Sequence, residues 1–161
     1  EAMLKACGYG GIGSASVKQY LVAWLANWVR EYGVDGFRCD TAKHVDKDAW
    51  NDLKTEGIKA LNEWRANNPD KAGADWTDDF WMTGEVYDWS NNGKSSYFTS
   101  GAFDSLINFG FQAVSGQSGA ALESTYSSYA KSVNGDSNKG YNMLSYNSSH
   151  DKGLGSRAAS L

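Results

Sequence analysis

The sequence predicts an α/β protein built on parallel strands, and within that class an arc of a closed barrel. Three observations carry this. Short apolar segments bounded by polar residues alternate with longer helical stretches, which is the pattern of βαβ units. No G-x-G-x-x-G run links a first strand to its helix. The glycines at 8, 10, 11 and 13 do not follow a credible strand, which disfavours an open dinucleotide-binding sheet. A complete (β/α)8 TIM barrel takes about 250 residues, or roughly 31 per unit, so these 161 residues amount to about five units. By size they form one domain, 1–161.

Each element has a local cause. The first dozen residues, with their glycines, read as loop. A helix is expected from Val17 to Tyr32. Val17, Tyr20, Leu21, Trp24, Leu25, Trp28, Val29 and Tyr32 recur at spacings of three and four and form one wide apolar stripe. Ser14 or Ser16 caps its start, and Gly33 supplies a left-handed stop. Residues 34–40 form the first strand. A second helix runs from about Asp48 to Asn67, with Asp46 as its cap, Trp50, Leu53, Gly57, Leu61 and Trp64 on its face, and Pro69 marking its end. Residues 80–84, 105–109 and 142–146 are further strands, and a weaker helix spans about 119–132. Residues 86–103, rich in Asn, Ser and Gly, read as a long loop.

Composition removes several function classes. Lys plus Arg is 15 and Asp plus Glu is 19, a formal charge of −4. A phosphate-backbone binder wants a basic face instead, so no nucleic-acid partner is expected. No run of apolar residues is long enough to span a membrane, and no charged leader with an apolar core opens the chain. Cys7 and Cys39 cannot build a disulfide scaffold and show no paired zinc spacing. Seven Trp, nine Tyr and six Phe suit a core, and flat rings equally suit stacking on sugar faces.

The residues able to do chemistry sit where strands run into loops. Arg38 and Asp40 are two apart on a strand and share a face, while Cys39 points toward the covering helices as a small buried hydrophobe. A guanidinium beside a carboxylate keeps it ionised, as a carboxylate nucleophile requires; the bland reading is a pair that ties strand to loop. Glu85 follows an apolar segment and precedes Val86 and Tyr87, surroundings that suit a carboxyl holding a proton, although a solvated loop glutamate is the commoner case. His150 and Asp151 follow the last strand. His44 and His150 are the two histidines, and they lack the usual two-His metal spacing. All three groups fall at the carboxyl ends of parallel strands, where barrel active sites are built. A nucleophilic carboxylate with a separately tuned acid is the outfit of retaining glycoside hydrolysis.

These residues then match a known pattern. Gly36-Phe37-Arg38-Cys39-Asp40-Thr41-Ala42-Lys43-His44 resembles the second motif of the α-amylase family of retaining glycoside hydrolases (glycoside hydrolase family 13). Gly84-Glu85-Val86-Tyr87 resembles its third motif and Ser148-Ser149-His150-Asp151 its fourth, in the family's order. The stretch from Trp50 to Glu85 looks most like the bacterial periplasmic members. The resemblance implies an arc of approximately strands four to seven of the barrel. It makes Asp40 the nucleophile, Glu85 the general acid/base and Asp151 the grip on the distorted sugar. Arg38 would orient Asp40, His150 would bond the same sugar, and Lys43 and His44 would line the neighbouring leaving-group side. A structural calcium is implied, with His44 contributing a backbone carbonyl and most other ligands lying outside this sequence. Tyr87 and Trp89 are candidate sugar platforms, with core packing the alternative.

The implied activity is cleavage of α-1,4-glucosidic bonds in starch or maltodextrin, with an α-glucan or maltooligosaccharide as partner and a secreted or periplasmic location. An α-glucosidase or transglycosylase would use the same residues. A carbohydrate-binding piece without turnover is a third reading, and the 161 residues by themselves are expected to show little activity because the barrel is not closed.

Overall fold

The computed structural model describes residues 1–87, 95–109, 118–134 and 141–146. Along the chain these give α1 (Ala2–Ala6), α2 (Val17–Tyr32), β1 (Gly36–Cys39), a 3₁₀ turn (Ala42–His44), α3 (Lys47–Asn67), β2 (Trp81–Gly84), α4 (Ser95–Thr99), β3 (Ser105–Ile107), α5 (Gly119–Val133) and β4 (Asn142–Leu144). The four strands form one sheet in the order β1-β2-β3-β4, and every neighbouring pair is parallel. A helix lies between each strand and the next. Sequential order with helical crossovers is how a barrel wall advances, and a doubly wound sheet would reverse direction.

The helix ends follow their side chains. Ser16 accepts from the Gln19 backbone and Gln19 reaches back to the Ser16 N–H, a capping box that starts α2. Gly33 ends it at φ 67°, and the Trp64 ring packs so close that a Cβ here would fall 2.4 Å from it. At α3, Asp46 holds the cap position without a side-chain cap bond.

Two expected loops contain structure. Residues 2–6 are helical, because Leu4 is buried and pins that turn under the helices. The short helix α4 interrupts the expected loop at 86–103, with Tyr97 and Phe98 packed against the core.

The buried face of α2 also differs from the expected stripe. Val22, Ala23, Ala26 and Val29 are buried, while Val17, Leu21, Trp24, Trp28 and Tyr32 are exposed. Small side chains allow a helix to approach its neighbours closely, so they take the contact face and the large rings stand on the flank. For α3 the expected face holds: Leu53, Gly57 and Leu61 are buried. Gly57 is required there, since an added Cβ would meet the Phe80 ring at 2.5 Å. Phe80, fully buried, packs edge-on against Phe37 with centroids 5.1 Å apart.

Lys54 anchors α3 to the sheet. Its ammonium bonds the Phe80 carbonyl and both Asp104 carboxylate oxygens, at 2.7 and 2.9 Å. Asp104 also accepts from the Met82 N–H at 2.7 Å, and its carbonyl accepts from Asn142 at 3.2 Å. One aspartate therefore joins α3, β2, β4 and the start of β3. No described helix is long and apolar enough to cross a membrane.

Candidate active site

The site grows from the ends of β1 and β2. Their register pairs Arg38 with Thr83 and Cys39 with Gly84, so the next residues, Asp40 and Glu85, leave adjacent strands at the same level. The ladder continues past the strand ends: Glu85 N–H donates to Cys39 O and Ala42 N–H to Glu85 O, both at 2.8 Å. Alternation puts Cys39 on the helix side, where it is buried. Burial pushes its thiol up to about 12, against a smaller opposing effect of Arg38. Arg38 faces the other way and reaches the carboxylates.

Arg38 holds two carboxylates at once. Its Nη1 bonds Asp40 Oδ1, and its Nη2 bonds Glu85 Oε1 at 2.8 Å. The second oxygen of Glu85 accepts from the Thr41 backbone N–H at 3.0 Å. The Glu85 side chain is 5% exposed and that of Asp40 66%. Burial works against the Arg38 charge, but the hydrogen bonds and charges of Asp40 and Glu85 outweigh it and hold the guanidinium above its ordinary value. The planar fork of one guanidinium sets how far apart its two partners stand.

The expected Arg38–Asp40 pairing is therefore present. The expectation for Glu85 needs correcting: the residue is buried, but its oxygens meet a guanidinium and an amide N–H in place of apolar side chains. Thr41 sits at φ 47°, an uncommon conformation for a β-branched residue. The strained turn aims its N–H at Glu85 immediately after Asp40, and strain of this kind concentrates at functional sites.

Around this pair stand further polar and aromatic groups. Thr83 and Ser105 share a hydroxyl–hydroxyl bond of 2.7 Å on the neighbouring strands. Arg38, Thr83 and Trp81 line a cleft of about 470 Å³ that runs toward the amino ends of β1 and β2. The cleft includes neither Asp40 nor Glu85; it is the inner side of the sheet below them. Lys43 and His44 are exposed on the 3₁₀ turn, which Trp50 holds by donating to Ala42 O at 3.2 Å. Lys43 Nζ lies 5.7 Å from the centroid of the Tyr87 ring. Tyr87 meets the edge of Phe109 at 5.2 Å, and Phe109 meets Tyr146 at 5.8 Å.

The structure thus brings Arg38, Asp40, Glu85, Lys43 and Tyr87 to one rim. His150, Asp151 and Trp89 lie outside the described residues. The roles of Thr41, Phe109 and Tyr146 carried no signal in the sequence, since they arise from a backbone angle and from contacts between strand ends. Among the described residues no three His, Cys, Asp or Glu side chains stand close enough to hold a metal.

A parallel, sequentially ordered arc with an arginine-bridged carboxylate pair at its carboxyl rim is what part of a (β/α)8 barrel wall presents. Residues 12–156 match the family described as "Alpha amylase, catalytic domain", and the chain belongs to that family, whose fold is the (β/α)8 barrel. It is 44% identical over 151 residues to the periplasmic alpha-amylase of Escherichia coli (strain K12), covering 89% of this chain and 21% of that protein. It is 35% identical over 132 residues to an alpha-amylase of Streptomyces lividans, covering 78% of this chain and 13% of that one. A crystal structure of an Anoxybacillus alpha-amylase matches at 26% identity and TM-score 0.49, over 71% of this chain and 23% of that one. The chain thus spans about a fifth or less of the length of these curated relatives.

Proposed function

We propose that this chain carries the catalytic centre of an α-amylase-type retaining glycoside hydrolase acting on internal α-1,4-glucosidic bonds of starch or maltodextrin. The observation that carries the proposal is the Arg38 bridge between Asp40 and Glu85 at the ends of adjacent parallel strands. In the first step an Asp40 oxygen attacks the anomeric carbon. The bond to the leaving oxygen breaks, and Glu85 gives its proton to that oxygen. A glycosyl ester on Asp40 and a shortened glucan with a free hydroxyl result. In the second step Glu85 takes a proton from water while the water oxygen attacks the same carbon. Asp40 leaves as a carboxylate, and two inversions give retention. Arg38 orients Asp40 and stays charged throughout. The roles of Asp151 and His150 on the sugar, and of Lys43 and His44 on the leaving-group side, rest on the family motifs.

Residues 1–161 are read as belonging to a single catalytic barrel domain, at about strands four to seven. His44 would give a structural calcium one backbone carbonyl, with its other ligands drawn from outside the described residues. A secreted or periplasmic location follows from the likeness to a relative named periplasmic.

The test is made on the full-length protein with soluble starch. Asp40→Asn and Glu85→Gln are each expected to lower turnover by orders of magnitude while maltodextrin binding, read by calorimetry, persists. Early products of the parent enzyme are expected to be α-anomers by NMR. Near-normal rates in either variant, or β-anomeric products, would overturn the assignment.

A further inference from the structure

We infer that Phe109, braced by Tyr146, is a positioning residue: it sets the Tyr87 ring as a fixed wall for the sugar on the leaving-group side. The inference rests on the glycosidase reading above and extends it to residues that reading does not use. Three aromatic rings stand just beyond three successive strands. Tyr87 follows β2, Phe109 follows β3 and Tyr146 follows β4. They meet in a train at the carboxyl rim. The Tyr87 and Phe109 centroids are 5.2 Å apart with planes at 62°, and those of Phe109 and Tyr146 are 5.8 Å apart at 83°. Both contacts are edge-to-face, an arrangement that fixes ring planes relative to one another.

The position of the train decides what it can serve. Tyr87 stands two residues beyond Glu85, the group that hands a proton to the leaving oxygen. Lys43, which the proposed function sets on the leaving-group side, lies over the Tyr87 ring, so that ring borders the same side. Tyr87 is 36% exposed, enough to present part of its ring to a ligand. Lys43 places an ammonium 5.7 Å from the centroid of the same ring. An apolar ring with a hydrogen-bond donor over it matches a glucose unit, which has an apolar face and a hydroxyl rim. Left alone on a loop, a tyrosine samples several rotamers and loses that freedom on binding. A ring held between Lys43 and the Phe109 edge has already lost it, so less affinity is forfeited when the sugar arrives. Phe109 and Tyr146 act through Tyr87 and touch no reacting atom.

Two substrates separate this role from general damage, again in the full-length protein. Maltoheptaose places glucose units on the leaving-group side. α-Maltotriosyl fluoride loses fluoride and has no sugar there. The measured quantity is the ratio of kcat/KM for maltoheptaose to kcat/KM for the fluoride, which cancels any loss of folded enzyme. Phe109→Leu and Tyr87→Ala are each expected to lower the ratio several-fold, mainly through a higher KM for maltoheptaose. Phe109→Tyr, which keeps the ring edge, is expected to restore it. If Phe109→Leu does not fold, the half-exposed Tyr87→Ala and the conservative Phe109→Tyr decide the matter. An enzyme active on both substrates whose ratio is unmoved by Tyr87→Ala, or by a folded Phe109→Leu, overturns this inference and leaves the glycosidase reading standing. A parent protein that turns over neither substrate overturns both.

Discussion

Between β1 and β2 the parallel register runs over four residue pairs, whereas β2 and β3 share two. The first half is covered by α3, whose Leu53, Gly57, Ala60 and Leu61 are buried with Phe80 beneath them. In the second half none of the described side chains of α5 is buried, and Leu144 on β4 is half exposed. The bridged pair of candidate catalytic carboxylates sits on the first half. Asp40 and Glu85 extend two strands whose ladder continues past both ends, and the arginine that joins them projects from one of those strands. A site that needs two carboxyls held to within fractions of an ångström belongs on the better supported element. The second half supplies Phe109 and Tyr146, whose work is to place a ring. The contrast is one of cover: both halves are hydrogen-bonded strands, but the first lies under a packed helix and the second under one with no buried side chain among those described.

The largest effect expected is on the bridge. Arg38→Lys keeps a positive charge but cannot bond two carboxylates through one planar fork, so turnover of starch is expected to fall on the order of a hundredfold or more. A lysine variant with near-parent turnover would show that charge alone suffices and that the bridge is incidental. Next comes the support beneath it. Phe80→Ala empties the space under Gly57 and is expected to cost about 3–5 kcal/mol of stability in denaturant unfolding. A loss below about 1 kcal/mol would mean that this half is not the rigid one.

A gentler probe reads the contrast directly. Amide hydrogen exchange in the full-length protein is expected to be slower over the middle of α2 and α3 than over α5. Equal protection would mean that α5 gains cover from outside the described residues, and the two halves would then differ less than they do here. The smallest effect concerns Cys39 on the helix side of β1. Its pKa is raised from 9.0 to about 12 by burial, so the folded state keeps the thiol proton where the unfolded chain releases it. This contribution to stability is complete below pH 9 and is lost as pH rises toward 12. The thiol is accordingly expected to resist thiol-specific reagents at pH 8 in the native protein and to react once it is unfolded. Rapid native reaction would place Cys39 nearer solvent than its burial implies.

Much of this was legible in local sequence. Ser16 and Gly33 mark the ends of α2 because capping and left-handed turns depend on residues a few places apart. The Leu53, Gly57 and Leu61 spacing marks the buried face of α3 for the same reason. The stripe on α2 misled, since periodicity locates an apolar face but not which of two adjoining faces meets the core. The aromatic residues 24 and 28 signalled hydrophobicity, while Ala23 and Ala26 supplied the close fit. Leu4 turned an expected loop into a short helix through a contact that no neighbouring residue announces.

By itself the sequence determined the alternation of elements, the helix ends and the residues of the three motifs, because each depends on backbone geometry within a few residues. Tertiary structure alone decided that Arg38 reaches Glu85, 47 positions away, as well as Asp40. It also decided that Thr41 turns its amide toward the same carboxylate and that Phe109 braces Tyr87. These contacts depend on the register between parallel strands and on how their ends curve together, and a one-residue slip in pairing would turn the displaced strand's side chains to the opposite face.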